Sequence, residues 1–256
     1  MTRTWLPPLI PFVVITATVE LIVRQGWVPS YLVPAPTAVL AAMFQSRAEL
    51  AQALLKTSAG ALAGFGLSAI GGISIAVALS SSRAIQRAFY PYAVFFQTVP
   101  IIAIAPLLVI WFGYGMKTVI ASAFVVSIFP VIANTLTGIL STDPALRDLF
   151  RLYGASGRVT LFKLRFPAAL PQILTGLRVA SGLAVIGAIV GEFVGAQSGL
   201  GMLLMQYNQS LQIASVFAVL LILALIGYLS NLAIRSIERK LCFWAQRATP
   251  VANSES

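Results

Sequence analysis

The chain has 256 residues, 59% of them hydrophobic and 9% charged, with a formal charge of +10. A soluble domain carries about 25% charged residues, so this composition excludes a fold kept in water by a charged surface and points to a bundle embedded in a membrane. With no histidine and a single cysteine, Cys242, an internal disulfide and a Cys/His metal site are excluded as well.

The composition barely shifts along the chain, so residues 1–256 read as one all-α domain. A membrane helix needs about 20 mostly apolar residues. Six segments qualify: 6–24, 55–80, 89–112, 118–140, 173–196 and 213–235. The first follows Arg3 and has no small-residue cleavage site behind it, so it is expected as a retained span and not a removable leader. Between the first two spans, Val39, Leu40, Met43 and Phe44 recur at helical spacing and predict a short helix at the membrane interface. The third span contains Gln97-Thr98-Val99-Pro100 and Pro106. Each proline removes a backbone donor and kinks a helix, which is tolerated where the kink packs in protein or lines a cavity. Both readings are open at this point. Glu192 is the one carboxylate deep in an expected span. It either lines a pathway or makes a structural hydrogen bond. Gly187, Gly191 and Gly195 beside it, and Gly60 with Gly64 earlier, are spaced for close helix approach. Gln97 and Asn134 are further pathway candidates, with helix–helix hydrogen bonding as the alternative.

The basic residues orient the bundle. Arg3, Arg83, Arg87, Arg147, Arg151, Arg158, Lys163, Arg165, Arg178, Arg235, Arg239, Lys240 and Arg247 fall on one side if the spans alternate. Only Arg24, Arg47, Lys56 and Lys117 fall on the other. Positive-inside then places both termini and the 141–172 loop in the cytoplasm. The charge is thereby accounted for without nucleic acid.

That loop is long enough to have a task of its own. Asp143-Pro144 is a helix start, with a capping side chain before a proline whose missing N–H costs nothing. Leu146, Leu149, Phe150 and Tyr153 form one apolar stripe. Asp148 and Arg151 are spaced to pair. Gly154 is placed to end the helix in a left-handed conformation. Ser156 caps a second short helix with Val159, Leu161 and Phe162 inward, and Pro167 and Pro171 are expected to stop it. On these residues alone, docking to a partner and resting on lipid headgroups are both admissible.

The stretch from Asp148, Leu149 and Phe150 through Tyr153, Gly154, Ala155 and Ser156 to Pro167 resembles the EAA loop of binding-protein-dependent ABC transporter permeases. Gly154 and Pro167 match that motif in spacing. Asp148 stands in place of its glutamate, while Leu149 and Phe150 replace its two alanines. Pro34-Ala35-Pro36-Thr37, Gln97-Thr98-Val99-Pro100, Ala105-Pro106-Leu107-Leu108, Trp111-Phe112-Gly113, Phe166-Pro167-Ala168-Ala169-Leu170-Pro171 and Ser198-Gly199-Leu200-Gly201 resemble the sulfonate/taurine/nitrate permeases over roughly residues 30 to 235. The runs 97–103 and 184–192 look more like a thiamine-precursor or riboflavin branch.

The resemblance implies a type I importer permease of the bacterial inner membrane. Two copies would form the pathway, a cytoplasmic ATPase dimer would receive the loop, and a periplasmic or lipid-anchored binding protein would deliver a small organic solute. ATP would be bound by the partner. This chain has no phosphate-binding loop of the Gly-x-x-x-x-Gly-Lys-Ser/Thr kind and no constellation of an enzyme. An autonomous channel or secondary transporter is the competing reading. It would explain the bundle and Glu192 but not the loop.

Overall fold

The computed structural model describes residues 6–242. The side chains of residues 6–9, Arg83, Ala93, Phe96 and Gln97 lie outside that description, as do Arg3 and Arg247, which entered the orientation argument. All regular structure among the described residues is helical: α1 (Leu6–Arg24), α2 (Pro36–Gln45), α3 (Arg47–Ser80), α4 (Arg83–Thr98), α5 (Ile101–Phe112), α6 (Met116–Leu140), α7 (Pro144–Leu152), α8 (Gly157–Thr160), a π-turn (Leu161–Arg165), α9 (Phe166–Gly195), α10 (Leu200–Gln209) and α11 (Ile213–Leu241). Among these, α3, α6, the helix running from Gly157 to Gly195 and α11 are long and apolar enough to cross a membrane.

Three expected boundaries are corrected. The second span begins at Arg47, eight residues before position 55, and continues for 34 residues. At 1.5 Å per residue it is about 51 Å long and overshoots a hydrocarbon core of about 30 Å. The expected third span is two helices. Val99 and Pro100 are both extended, with ψ of 122°. A proline forces its predecessor out of the helical region and offers no N–H of its own, so the ladder ends at Thr98 and restarts at Ile101. The 12 residues of α5 reach only about 18 Å.

The fifth span starts well before residue 173, because Pro167 and Pro171 do not stop the preceding helix. The Phe166 N–H donates to the Leu161 carbonyl, an i→i−5 bond. This wider turn re-registers the chain so that Pro167 falls in the first turn of α9, where its missing donor is harmless. Pro171 is carried inside the helix. Phe162, expected inward, is 64% exposed.

The core is built around α6, which packs most extensively against α9 and α3. Inside lipid no hydrophobic force draws helices together, so association depends on close packing of backbones and on hydrogen bonds. The residues at these seams are accordingly small. A methyl group on Gly64 of α3 would lie 2.5 Å from Ala123 Cβ and 2.8 Å from the Ile120 carbonyl oxygen of α6. From α9, one on Gly187 would lie 2.6 Å from the Ser122 carbonyl oxygen, and one on Gly191 would lie 2.9 Å from Val119 Cα. Both glycine series singled out by spacing therefore lie at contact surfaces with α6, where α3, α6 and α9 pack together. Ser68 adds a polar stitch across the α3–α6 seam, sharing a 2.6 Å hydrogen bond with Ser127 and donating to the Phe124 carbonyl.

Two ends can be distinguished. The α3–α4 connection, α7, α8 and the end of α11 lie at one, here called the loop end. The α1–α2, α5–α6 and α9–α10 connections lie at the other, the outer end. There Leu50 and Ala53 of α3 pack with Leu200, Leu203 and Tyr207 of α10 and with Val219 and Leu223 of α11. At the loop end Arg178 lies 3.4 Å from Glu238, joining α9 to α11.

Because the α6 seams leave no space for a side chain, Gly64→Val and Gly187→Val are each expected to abolish accumulation of folded chain. Gly66→Ala, where a methyl group meets open space, is expected to leave it unchanged. Size-exclusion chromatography of the detergent-extracted chain distinguishes the two outcomes.

Candidate functional site: the 141–172 loop and the Glu192 network

Helix α7 forms where the sequence places it. The Asp143 carboxylate accepts from the Ala145 N–H at 2.8 Å, with Pro144 in the first turn. At the other end Gly154 has φ of +69°. Its N–H donates to the Arg151 carbonyl, and the Ala155 N–H donates to the Phe150 carbonyl, both at 3.0 Å. That reciprocal pair is a Schellman turn, which requires a left-handed residue at its centre. A β-branched side chain at 154 would oppose this conformation. Ser156 then accepts from the Val159 N–H and opens α8. Pro167 follows the π-turn and fixes where α9 begins.

None of the residues of α7 is buried. Its apolar stripe points away from the bundle: Leu149 is 45% exposed, Tyr153 83%, and Phe150 half-buried. The charged face, carrying Arg147, Asp148 and Arg151, is turned the other way, toward the end of α3 and toward α8. Asp148 and Arg151, spaced to pair, form no ion pair. A helix on a folded domain ordinarily buries its apolar face and exposes its charged one. Here Asp148 and Arg151 are exposed, but Leu146, Leu149 and Tyr153 stand uncovered beside them, and that apolar stripe has the character of a surface made to be covered.

Glu192 sits near the outer end of α9 and is 2% exposed. Its carboxyl accepts from the Thr57 hydroxyl of α3 at 2.8 and 3.0 Å and from the Gly201 N–H of α10 at 2.7 Å. Thr57 in turn accepts from the Leu200 N–H at 2.8 Å. Three helices thus meet on one side chain, and two otherwise orphaned N–H groups at the start of α10 are satisfied. Gly199, with φ of +123°, lies so close that a methyl group there would overlap the Glu192 carboxyl. Of the two roles open for Glu192 in the sequence, the enclosed hydrogen-bonded one describes this geometry.

Asn134 donates to the Pro130 carbonyl one turn back at 2.9 Å and packs at the α6–α9 seam beside Gly176. Gln97 lies in the last turn of α4, just before the Val99–Pro100 break, with its side chain outside the described set. The break borders a cavity of about 440 Å³ whose far wall is Phe124, Ile128 and Ile132 of α6. The loop and the Glu192 network lie at opposite ends, and α9 runs between them.

Sequence reasoning missed Thr57, Gly199 and Gly201 as partners of Glu192. The signal was present: a lone threonine facing an apolar seam and a Gly-Leu-Gly run shortly after the only deep carboxylate. It read Arg147, Arg158 and Arg165 as orienting charge and as part of a basic loop, without placing them around one cavity.

Residues 68–242 match the model of a family described as binding-protein-dependent transport system inner membrane component. A probable ABC transporter permease protein of Haemophilus influenzae is 40% identical over 87% of this chain and 91% of its own length. The formylaminopyrimidine transport permease ThiX of Halalkalibacterium halodurans is 35% identical over 94% and 97%. A putative aliphatic sulfonates transport permease, SsuC of Bacillus subtilis, is 32% identical over 94% and 88%. Among solved structures, the inward-facing MetNI methionine ABC transporter superposes with a TM-score of 0.70 at 21% identity, covering 77% of this chain and 98% of that one. The chain is a member of the binding-protein-dependent transport system inner membrane components, the permease subunits of ABC importers.

Proposed function

We propose that this permease works as one of two copies, with the loop end in the cytoplasm and the apolar face of α7 seated on an ATPase subunit. The observation that carries the reading is the uncovered apolar stripe of α7, held in place by the Schellman turn at Gly154. Leu149, Phe150 and Tyr153 supply the apolar contact. Asp148, Ala155 and Ser156 define the edges of the helix and its turn, and Pro167 anchors the loop to α9. Leu149 and Phe150 are larger than the alanines of the motif they resemble, so the receiving groove is correspondingly wide. ATP is bound and hydrolysed by the partner subunits, not by this chain. The excess of basic residues at the loop end supports its cytoplasmic placement.

The solute path runs beside the Val99–Pro100 break, with Gln97 at its edge. Irregular backbone within a membrane is tolerated where it borders a cavity. Asn134, one seam away, is a weaker candidate for the same path. The cargo is a small organic solute, delivered by a binding protein at the outer end. A thiamine-precursor pyrimidine fits the relatedness best: ThiX, named for formylaminopyrimidine, is 35% identical, whereas the relatives named for aliphatic sulfonates, riboflavin and taurine are 31–32% identical.

Glu192 serves as the staple of the outer end. It ties α10 to α3 and α9, so that these move as one body when the bundle switches between facing in and facing out. Thr57→Val removes the hydroxyl and leaves the Leu200 N–H and part of the carboxyl unsatisfied. A buried group left without a partner costs on the order of 1–3 kcal/mol. Thermal unfolding in detergent should therefore show a lower midpoint for Thr57→Val and a near-native one for Thr57→Ser. Equal midpoints would remove the staple role.

The docking reading is tested by Gly154→Val in the transporter reconstituted with its ATPase. The variant chain is expected to insert and fold, since no neighbour crowds position 154. Uptake should fall at least tenfold (about 1.4 kcal/mol of lost coupling), with less ATPase co-purifying. Normal uptake by this variant would exclude α7 as the coupling element.

A further inference from the structure

The charged face of α7 does not lie against protein. It roofs a cavity of about 890 Å³ at the loop end, floored by Ser80 at the end of α3 and walled by α8 and the π-turn. Four arginines line it, Arg147, Arg151, Arg158 and Arg165, against one carboxylate, Asp148. Among the described residues the ion pairs are Arg24–Glu20 and Arg178–Glu238, so none of these four arginines is neutralised. The Nε atoms of Arg147 and Arg165 are buried and have no hydrogen-bond partner. A buried guanidinium donor left unmade is costly, and its planar fork matches the oxygens of a phosphate. Four arginines against one carboxylate give this cavity the charge to hold an anion.

The position of the cavity narrows the source. It lies where α3 ends and where the helix from Gly157 begins, at the loop end that the proposed function sets at the cytoplasmic face of the membrane. Basic pockets between membrane helices at this level hold anionic headgroups. It is also on the side of α7 opposite the exposed apolar stripe, so a partner covering that stripe leaves the cavity open to the membrane surface. We propose that this cavity binds the phosphate of an anionic phospholipid headgroup and that the bound lipid fixes the height and angle of α7.

The test uses the full chain in neutral detergent, with the thermal unfolding midpoint followed during titration with dioctanoyl phosphatidylglycerol, dioctanoyl phosphatidylcholine or inorganic phosphate. Phosphatidylglycerol is expected to raise the midpoint and phosphatidylcholine to leave it unchanged. Near a surface each basic residue contributes enough to change anionic-lipid affinity roughly fivefold. The double variant Arg147→Gln/Arg165→Gln should therefore need on the order of twenty-five times more phosphatidylglycerol for the same shift. Arg158→Gln, with an exposed side chain, keeps the test available if the double variant fails to fold, and should need about five times more. Lys163→Gln, in the same loop but outside the cavity lining, should titrate like the unaltered chain. A shift with inorganic phosphate alone at matching concentration would assign the same site to a soluble phosphate and not to a lipid. Equal shifts with both lipids, no shift with any probe, or an unaltered response in the arginine variants would overturn the proposal.

Discussion

The structure depends on how closely α6 is approached from both sides. Inside a bilayer the tails solvate leucine as well as a neighbouring helix does, so apolar side chains alone do not hold the bundle together. What remains is dispersion between surfaces brought close enough to matter and hydrogen bonds that lipid cannot supply. Gly60 and Gly64 on α3, and Gly187, Gly191 and Gly195 on α9, let both backbones sit within van der Waals reach of α6. The Ser68–Ser127 and Ser68–Phe124 bonds are possible only because the α3 seam is that tight. The helices outside this sandwich are held more loosely, and α11 buries far less of its apolar window than α6 does.

The two functional ends follow from that sandwich. Once α3 and α9 are fixed against α6, Thr57 and Glu192 face each other at the outer end without any further device, and α10 hangs from them through the Leu200 and Gly201 N–H groups. At the loop end, Leu161 and Phe166 pack on Ile139, Ala169 and Ile173. The π-turn is thereby pinned to the seam while α7 beyond it stays free of the core. The rigid and the partner-facing parts of the molecule thus meet at one place, Leu161–Arg165.

Much of this was legible in the sequence because it rests on local chemistry. Asp143-Pro144, Gly154 and Ser156 act through neighbours within a few residues, and the structure returns the cap, the left-handed turn and the second cap where the residues imply them. The glycine spacings were legible for the same reason: a four-residue repeat marks one helix face. What escaped depends on register or on distant partners. Pro167 and Pro171 read as stops because an α-helix has no place for them there, and only the i→i−5 bond from Phe166 to Leu161 makes room. Phe162 was assigned inward by α-helical periodicity, which a π-turn rotates. Thr57 lies 135 residues from Glu192, a separation no pattern in one sequence encodes. The binary pattern of α7 was read correctly, but that Arg147 and Arg151 share one cavity with Arg158 and Arg165 of the next helix depends on the turn at Gly154 and is not encoded in that pattern.

The geometry of α9 joins these observations. From Gly157 to Gly195 the chain is one helical run of 39 residues, its hydrogen-bond ladder altered at the π-turn and at Pro171, which has no N–H to donate. An α-helix transmits displacement along its axis far better than a loop does, because every peptide is bonded to the turn before it. The loop-end residues that carry Gly154 and the outer-end residues that carry Glu192 are therefore two ends of one stiff element, clamped at its middle by α6. A push on α7 that reaches this helix cannot be absorbed locally, since Gly187 and Gly191 leave no slack at the seam. It has to appear as tilting of α9 with whatever is stapled to it, namely Thr57 of α3 and the start of α10. On the proposed function, this is the mechanical use of a buried, multiply hydrogen-bonded carboxyl at the end of α9 far from α7. Alternating access requires the outer end to answer the inner one, and a rigid helix with a fixed partner at its far end meets that requirement by moving as a unit.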